Sequence, residues 1–398
     1  MDIGVVGKPN VGKSTLFNAL TLLDVPMAPY PFTTLAPNRG VAAVRVPCPH
    51  PEKGAPCQPG NARCEGGVRW VPVHLVDVPG LVPGAKEGRG LGHQFLDDLR
   101  PSDGFLQVVD ASGSTGPEGE AVAPSSVDPV DEVRWLEEEL VAWVAEILGR
   151  DFQKNVKSVE LEGTHVEEFL QSRLTGLSIS GGAIAAALRE VPLDRAKPSG
   201  WTPEDRLRLA EALLRAAKPR LIAANKCDRS TAERVGALGA AIAPVPVVGT
   251  CAEAELTLRR AARGGLVDYR PGDASFGVRT PAKLSPAQHR ALEEIRAILG
   301  RWGSTGVQQS LEALVFERLH RIVVFPVEDE ARWIDSKGRL LPDALLVPAG
   351  TPAREVAFRV HTDLGENFIR AIDARTHRAL AADHPMAAGT VVRIVARK

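Results

Sequence analysis

The stretch Gly7-Lys8-Pro9-Asn10-Val11-Gly12-Lys13-Ser14 ends in a lysine and a hydroxyl just after its second glycine. It fits the pattern G-x-x-x-x-G-K-[ST], and its chemistry is the binding of phosphates. Gly7 and Gly12 let the backbone curl so that N–H groups, Val11 among them, face one anion. Lys13 is placed to reach the β- and γ-phosphates. Ser14 is placed to ligate Mg²⁺, with Thr15 beside it at a helix N-terminus that adds its own positive end.

Three further stretches supply what such a site still needs. Asp77-Val78-Pro79-Gly80 follows the apolar run VPVHLV. There Asp77 can hold Mg²⁺ through water, and the Gly80 N–H can sense a γ-phosphate. Pro31-Phe32-Thr33-Thr34 falls in a loop between the first helix and the second strand. A threonine hydroxyl there, Thr34 rather than Thr33, can complete the Mg²⁺ shell only while the γ-phosphate is present, which is how a nucleotide orders a switch segment. Asn225-Lys226-Cys227-Asp228 follows RLIAA. The Asp228 carboxylate can accept from both N1–H and N2–H₂ of guanine, donors that adenine does not offer. Each hydrogen bond to a charged group contributes about 1.5–3 kcal/mol, so two discriminate by roughly 10²–10⁴ in affinity. Asn225 would fix the loop, and the Lys226 stem would lie along the base. Thr250-Cys251-Ala252, after the next strand, offers a backbone N–H for guanine O6.

These groups need a scaffold. Residues 2–6, VAAVRV (41–46), VRWVPVHLV (68–76), GFLQVVD (104–110), RLIAAN (220–225) and APVPVV (243–248) are apolar runs with helical patterns between several of them. Such alternation predicts a mostly parallel sheet flanked by helices. After a Gly/Ser/Pro-rich loop, Val133, Leu136, Leu140, Trp143, Val144 and Ile147 recur at helical spacing. Thr202-Pro203-Glu204-Asp205 reads as a helix start with a capping box. Residues 129–216 are therefore expected to be a helical insertion. From about 321, short strand patterns around one short helix predict a separate α+β domain. The division expected is 1–128 and 217–320 for an α/β phosphate-binding domain, 129–216 for the insertion and 321–398 for the last domain.

The chain has 398 residues, 44% hydrophobic and 24% charged, with a formal net charge of −1. No global basic field draws it to nucleic acid, so RNA contact would need a local patch. The opening MDIGVVGKPN predicts a strand, not a secretory leader, and no apolar stretch nears the roughly 20 residues that span a bilayer. A cytoplasmic monomer with reduced thiols is expected, with no membrane partner. Three of the five cysteines crowd with His50 into Cys48-Pro-His50-PEKGAP-Cys57-QPGNAR-Cys64. Cys₃His suits tetrahedral Zn²⁺, although the spacing fits no standard ligand pair. A disulfide, a redox-sensitive loop and unligated thiols stay open beside it.

YPFTTLAPN (30–38) and DVPGLVPGAKEGRGLGHQFL (77–96), taken with these motifs, resemble the Obg-like superfamily of the translation-factor-related GTPases. The helical insertion and LLVPAGTPAREVAFRVHTDLG (345–365) make the whole chain similar to the YchF group, or Obg-like ATPases. That group joins a G domain, a helical domain and a C-terminal TGS domain of β-grasp type. The resemblance implies GTP or GDP as ligand, Mg²⁺, and ribosomes or RNA as partners. It implies catalytic roles for Lys13, Thr34 and Gly80. Many members lack a good N-K-x-D and prefer ATP; here it is intact, as in archaeal-type relatives, so ATP preference is not carried over. A histidine placed in the loop after the third motif in the bacterial and eukaryotic branch has no counterpart in ASGSTGPEGEAVAPSS (111–126).

Many GTPases orient the attacking water with a glutamine directly after Asp-x-x-Gly. Here that residue is Leu81, so another group or a partner supplies the water contact, or intrinsic turnover is slow. Asn10 matches the asparagine with which some such enzymes hold K⁺, and otherwise shapes the loop. His93 is a second candidate for the water contact, or a surface histidine. The leading expectation is a slow, Mg²⁺-dependent GTPase switch. The alternatives are an ATP-preferring relative, a module that uses nucleotide only for stability, and a metabolic kinase, for which no acceptor site is visible.

Overall fold

The computed structural model describes residues 1–22, 39–77, 99–163, 165–279 and 284–397. Thr33, Thr34, Gly80, Leu81 and His93 lie outside the described residues. The chain divides into two compact units, one holding the described parts of Met1–Leu22, Pro37–Gly40 and His74–Leu314, the other those of Val41–Val73 and Val315–Lys398.

The first unit is built on parallel strands. β1 (Asp2–Val6) is flanked by β4 (Val68–Asp77) and β5 (Gly104–Asp110), and beyond β5 come β6 (Arg220–Asn225) and β7 (Val247–Gly249). β2 (Arg39–Pro47), next to β4 in the strand order, and β3 (Arg63–Glu65), antiparallel to β4, fall with the first half of β4 almost wholly in the second unit. Every residue of β5 is buried, as expected of a central strand covered on both faces. β7 is shorter than the run APVPVV suggests and begins only at Val247. Pro244 and Pro246 have no N–H to give to a ladder, so pairing starts after them.

Register decides where the chemistry collects. Val5 pairs with Asp77, Val6 with Gln107, Asp110 with Asn225, and Ala224 with Gly249. The C-terminal ends of β1, β4, β5, β6 and β7 thus form one row. In open α/β sheets that edge is where ligands bind.

Helix α1 (Lys13–Thr21) follows β1 directly. Between β5 and β6 the described residues form five α-helices: α2 (Pro129–Gly149), α3 (Phe152–Glu162), α4 (Val166–Leu174), α5 (Gly181–Glu190) and α6 (Pro203–Ala217). They share one apolar core, in which Leu136, Val144, Leu170, Ile184 and Leu213 are almost wholly buried. Along α2 the buried stripe runs through Leu148, while Ile147 is only partly covered. α6 starts with the expected capping box: the Thr202 side chain accepts from the Asp205 N–H, and Asp205 accepts from the Thr202 N–H. After β6, α7 (Ala232–Ala241), α8 (Ala252–Arg263) and α9 (Pro286–Trp302) complete the packing.

In the second unit a mixed sheet has the order β9 (Leu345–Pro348), β8 (Arg321–Val327), β12 (Val391–Ala396), β10 (Phe368–Asp373), β11 (Ala379–Leu380). Two short helices, Ala353–Val360 and Thr362–Glu366, accompany it, one more than the sequence pattern suggests. Val324, Val347, Val356, Ala371 and Val392 form its core. No helix among the described residues is long and apolar enough to cross a membrane.

Candidate nucleotide site

The loop after β1 owes its shape to two glycines. Gly7 has φ +152°, and a Cβ there would lie 2.4 Å from the Val108 carbonyl oxygen. Gly12 has φ +94° and heads α1; a Cβ there would lie 2.2 Å from Asn225 Nδ2. The second contact explains why glycine is needed: the loop must let the asparagine of Asn225-Lys226-Cys227-Asp228 approach its backbone.

Asn225 uses that space. Its buried amide donates to the Val11 carbonyl at 2.8 Å, and its Oδ1 accepts from the Ala252 N–H at 3.0 Å. One side chain thereby ties the loop after β1, the end of β6 and the turn after β7. The backbone reinforces it: Cys227 N–H donates to the Thr250 carbonyl at 3.1 Å, and Thr250 N–H to Ala224 at 2.9 Å.

Lys13, Ser14 and Asp77 meet at the start of α1. Lys13 Nζ is 3.5 Å from Asp77 Oδ1, and Ser14 Oγ donates to Asp77 Oδ2 at 3.4 Å. Asp77 Oδ1 is buried and accepts no hydrogen bond. A hard oxygen set with an unsatisfied carboxylate oxygen beside a phosphate loop fits a divalent cation such as Mg²⁺. Thr15, next in the helix, is half-buried.

Asp228 stays partly exposed, its side chain at 29%. It accepts from the Cys251 thiol at 3.2 Å and lies 3.6 Å from Arg229 Nε. Burial, with the Asp228 charge second, pushes the Cys251 thiol up, so at neutral pH it is a donor. The backbone of the turn after β7 is used otherwise than the sequence suggests. Cys251 N–H donates to the Thr305 carbonyl at 2.8 Å and Ala252 N–H to Asn225. Both N–H groups are thus engaged within the protein.

Lys226 is anchored by its ammonium, which donates to Asp110 Oδ2 at 3.0 Å and Thr115 Oγ1 at 2.8 Å. Asp110 is a hub that sequence reasoning passes over. It is fully buried and also accepts from Ser112 N and Oγ, Ser114 N and Oγ, and Thr115 Oγ1. Burial alone would raise its pKa; the Ser112, Thr115 and Lys226 hydrogen bonds outweigh it and hold the carboxyl well below the usual range.

The loop that follows also meets the phosphate loop. Asn10 Nδ2 donates to the Gly119 carbonyl at 2.8 Å, and Lys8 Nζ donates to the Thr115 carbonyl at 2.5 Å. Lys8 is buried and ion-paired to Glu132 at 2.6 Å. Burial pushes Glu132 up to about 7 against the pull of Lys8. Lys8 was legible only as a filler position of the motif, and nothing in its spacing pointed to Glu132.

The three thiols and the imidazole of the loop before β4 also come together. Their ligand atoms all lie within 4.8 Å of one another. All five cysteines are free.

Comparison with known proteins finds family matches over most of the chain. Residues 2–144 match the family described as 50S ribosome-binding GTPase. Residues 223–329 match Obg-like GTPase YGR210-like, G4 motif-containing domain, and 337–396 match the TGS domain. The "Uncharacterized GTP-binding protein MJ1332" of Methanocaldococcus jannaschii is 43% identical over 394 residues, 99% of this chain and 98% of that one. A solved GTP binding protein from Pyrococcus horikoshii OT3 is 34% identical, with each chain covered to 100% and a TM-score of 0.81. The "Ribosome-binding ATPase YchF" of Haemophilus ducreyi is 34% identical over 197 residues, 48% of this chain and 50% of its own. A P-loop G domain with a mostly parallel sheet, joined to a C-terminal TGS domain, is thus both observed and matched. The chain belongs to the Obg-like, YchF-related family of P-loop GTPases, in the branch that keeps the N-K-x-D motif and carries a C-terminal TGS domain.

Proposed function

We propose that this chain binds guanine nucleotide along the row of strand ends and hydrolyses GTP slowly, acting as a nucleotide-dependent switch. The observation that carries the reading is Asn225. It joins the phosphate loop to the turn after β7, and the Asp228 carboxylate, against Cys251 of that turn, stays partly exposed. An exposed carboxylate at that place accepts from the guanine N1–H and N2–H₂ edge. The solved relative is named as a GTP binding protein, which supports the same choice.

Gly7, Asn10, Val11 and Gly12 supply the phosphate cradle, and Lys13 supplies the charge. In the present arrangement Lys13 is held by Asp77, so phosphate oxygens compete for that ammonium. Ser14, with Asp77 through water, would hold Mg²⁺, and Thr34 would close its shell; the ion would offset charge on the phosphates. Asn10 gives its amide nitrogen to Gly119, so the amide oxygen is the atom that K⁺ would take. Leu81 cannot orient water, which is why slow turnover is proposed. The domain division proposed is 1–128 with 217–320, 129–216, and 321–398.

Ribosome association is proposed from the family description and from the name of the YchF relative, and a cytoplasmic location with it. Co-sedimentation with ribosomes, with a GTP analogue, GDP or no nucleotide, tests the switch. Equal pelleting in all three would remove it.

Calorimetric titration of nucleotide-free protein with GTP and with ATP, each with Mg²⁺ and K⁺, tests the base choice. Tight GTP and weak ATP are expected. Comparable or tighter ATP would place the chain with relatives named as ATPases.

A further inference from the structure

The segment between β2 and β4 contributes nothing to the nucleotide row, yet it holds three of the five cysteines. We propose that Cys48, His50, Cys57 and Cys64 form a structural zinc site that fixes residues 48–64 against the C-terminal sheet region of the same unit.

Local structure brings the four together across a spacing that matches no standard pair. Cys48 follows the end of β2, and its N–H donates to the Gly67 carbonyl at 2.8 Å. A 3₁₀ turn over His50–Lys53 carries the imidazole back beside it. Cys64 lies in β3, and the hairpin with β4 sets it opposite Arg69.

The distances decide the geometry. Zn–S bonds of about 2.3 Å and Zn–N bonds of about 2.0–2.1 Å at tetrahedral angles require S···S edges of about 3.8 Å and S···N edges of about 3.5 Å. Cys48 Sγ and Cys57 Sγ are 3.8 Å apart. His50 Nδ1 is 3.4 Å from Cys57 Sγ and 3.6 Å from Cys64 Sγ. A disulfide needs sulfurs about 2.05 Å apart, so the arrangement is that of ligands about a cation. Four protein donors close the tetrahedron, which marks a structural site and not a catalytic one.

Arg69 is the independent observation. Its side chain is fully buried, and its Nε and Nη1 have no hydrogen-bond partner. Nη2 donates to the Leu341 carbonyl at 2.8 Å and points at Cys48 Sγ, 3.5 Å away. A buried guanidinium needs a counter-charge. Three thiolates and a neutral imidazole on Zn²⁺ carry a net charge of −1 and supply it at the sulfur it faces.

The loop so fixed is stitched to 331–344. Gln58 N–H donates to the Leu340 carbonyl at 2.9 Å and Gly60 N–H to Pro342 at 2.7 Å. Asn61 and Ala344 exchange two hydrogen bonds of 3.0 Å. Lys53 lies over the Trp333 ring and donates to the Ala331 carbonyl at 2.8 Å. The metal therefore orders a docking segment without touching nucleotide.

The test is elemental analysis of the full-length protein purified without chelator. One zinc per chain is expected, lost in Cys57→Ser and Cys64→Ser. Cobalt in its place should give thiolate charge-transfer and tetrahedral d–d bands. Arg69→Gln should keep the site but lower zinc affinity by about 10–100-fold, as loss of an outer partner does. Should the cysteine variants fail to fold, chelation of the wild type serves instead, with faster hydrogen exchange expected at Gln58, Gly60 and Ala344. Three freely reactive thiols in the presence of zinc, a non-reduced mass showing a disulfide, iron in place of zinc, or exchange unchanged by chelation would each overturn the proposal.

Discussion

Asn225 Nδ2 donates to the Val11 carbonyl at 2.8 Å across 214 residues of sequence. The same side chain accepts from Ala252 N–H on its other side. Asn225→Ala leaves a buried carbonyl and a buried N–H without partners, at about 1–3 kcal/mol each. We expect a lower melting temperature and a loss of GTP affinity of at least tenfold. Asn225→Asp should be worse, because it sets a carboxylate oxygen against the Val11 carbonyl. Wild-type affinity in both, measured by calorimetry, would separate the motif from the phosphate loop.

Asp228→Asn should weaken GTP by roughly 10²–10⁴, the worth of two charged hydrogen bonds, and change ATP little. Equal losses for the two nucleotides would mean that the base is read elsewhere. Cys251 bears on the same carboxylate, since its thiol donates to Asp228 at 3.2 Å. Cys251→Ser keeps a donor there and should hold the preference. Cys251→Val removes it and should relax GTP binding several-fold.

Parts of this site are carried by local spacing, and those parts are readable. The phosphate loop, Asp77 and Asn225-Lys226-Cys227-Asp228 each follow an apolar run that becomes a strand, and register then brings them to one edge. The capping box at Thr202 is equally local. Asp110 is different. A single aspartate after a strand has no signature, and its role arises from Ser112, Ser114 and Thr115 turning back on it and from Lys226 arriving from 116 residues away. Lys8 and Glu132 are likewise joined only by the fold. The three thiols and His50 are legible as residue types, but the hairpin that sets Cys64 opposite Arg69 is not, because β3 has only three residues. The readings of Thr34, Gly80, Leu81 and His93 concern residues outside those described.

Glu132 gives the stability a pH dependence. Burial holds its folded pKa near about 7, above its ordinary 4.5, although Lys8 pulls the other way. Between those values the unfolded chain has released the proton and the folded chain keeps it. Stability from this group is therefore full below pH 4.5 and is lost as pH rises through about 7. Glu132→Gln cannot titrate. Urea unfolding of both proteins from pH 4.5 to 7.5 should show the wild type losing a few kcal/mol relative to the variant as pH rises. Parallel curves would show that Glu132 is ionised throughout by its pairing with Lys8.

Asp110→Asn tests whether the loop after β5 is built on charge. The wild-type carboxylate accepts from three hydroxyls, two N–H groups and the Lys226 ammonium while fully buried. The amide replaces one acceptor with a donor, set among donors, and leaves Lys226 without its counter-charge. Breaking a buried pair on one side costs about 3–5 kcal/mol, so a lower urea midpoint is expected. The effect should reach nucleotide, because Lys226 lies within the motif that carries Asp228, and Thr115 and Gly119 contact Lys8 and Asn10 of the phosphate loop. Faster hydrogen exchange over 111–119 and weaker GTP binding should therefore appear together. Asp110→Glu keeps the charge but crowds a fully buried site, so it should restore part of the affinity and little of the stability. Loss of stability with GTP affinity intact would make Asp110 a folding residue only.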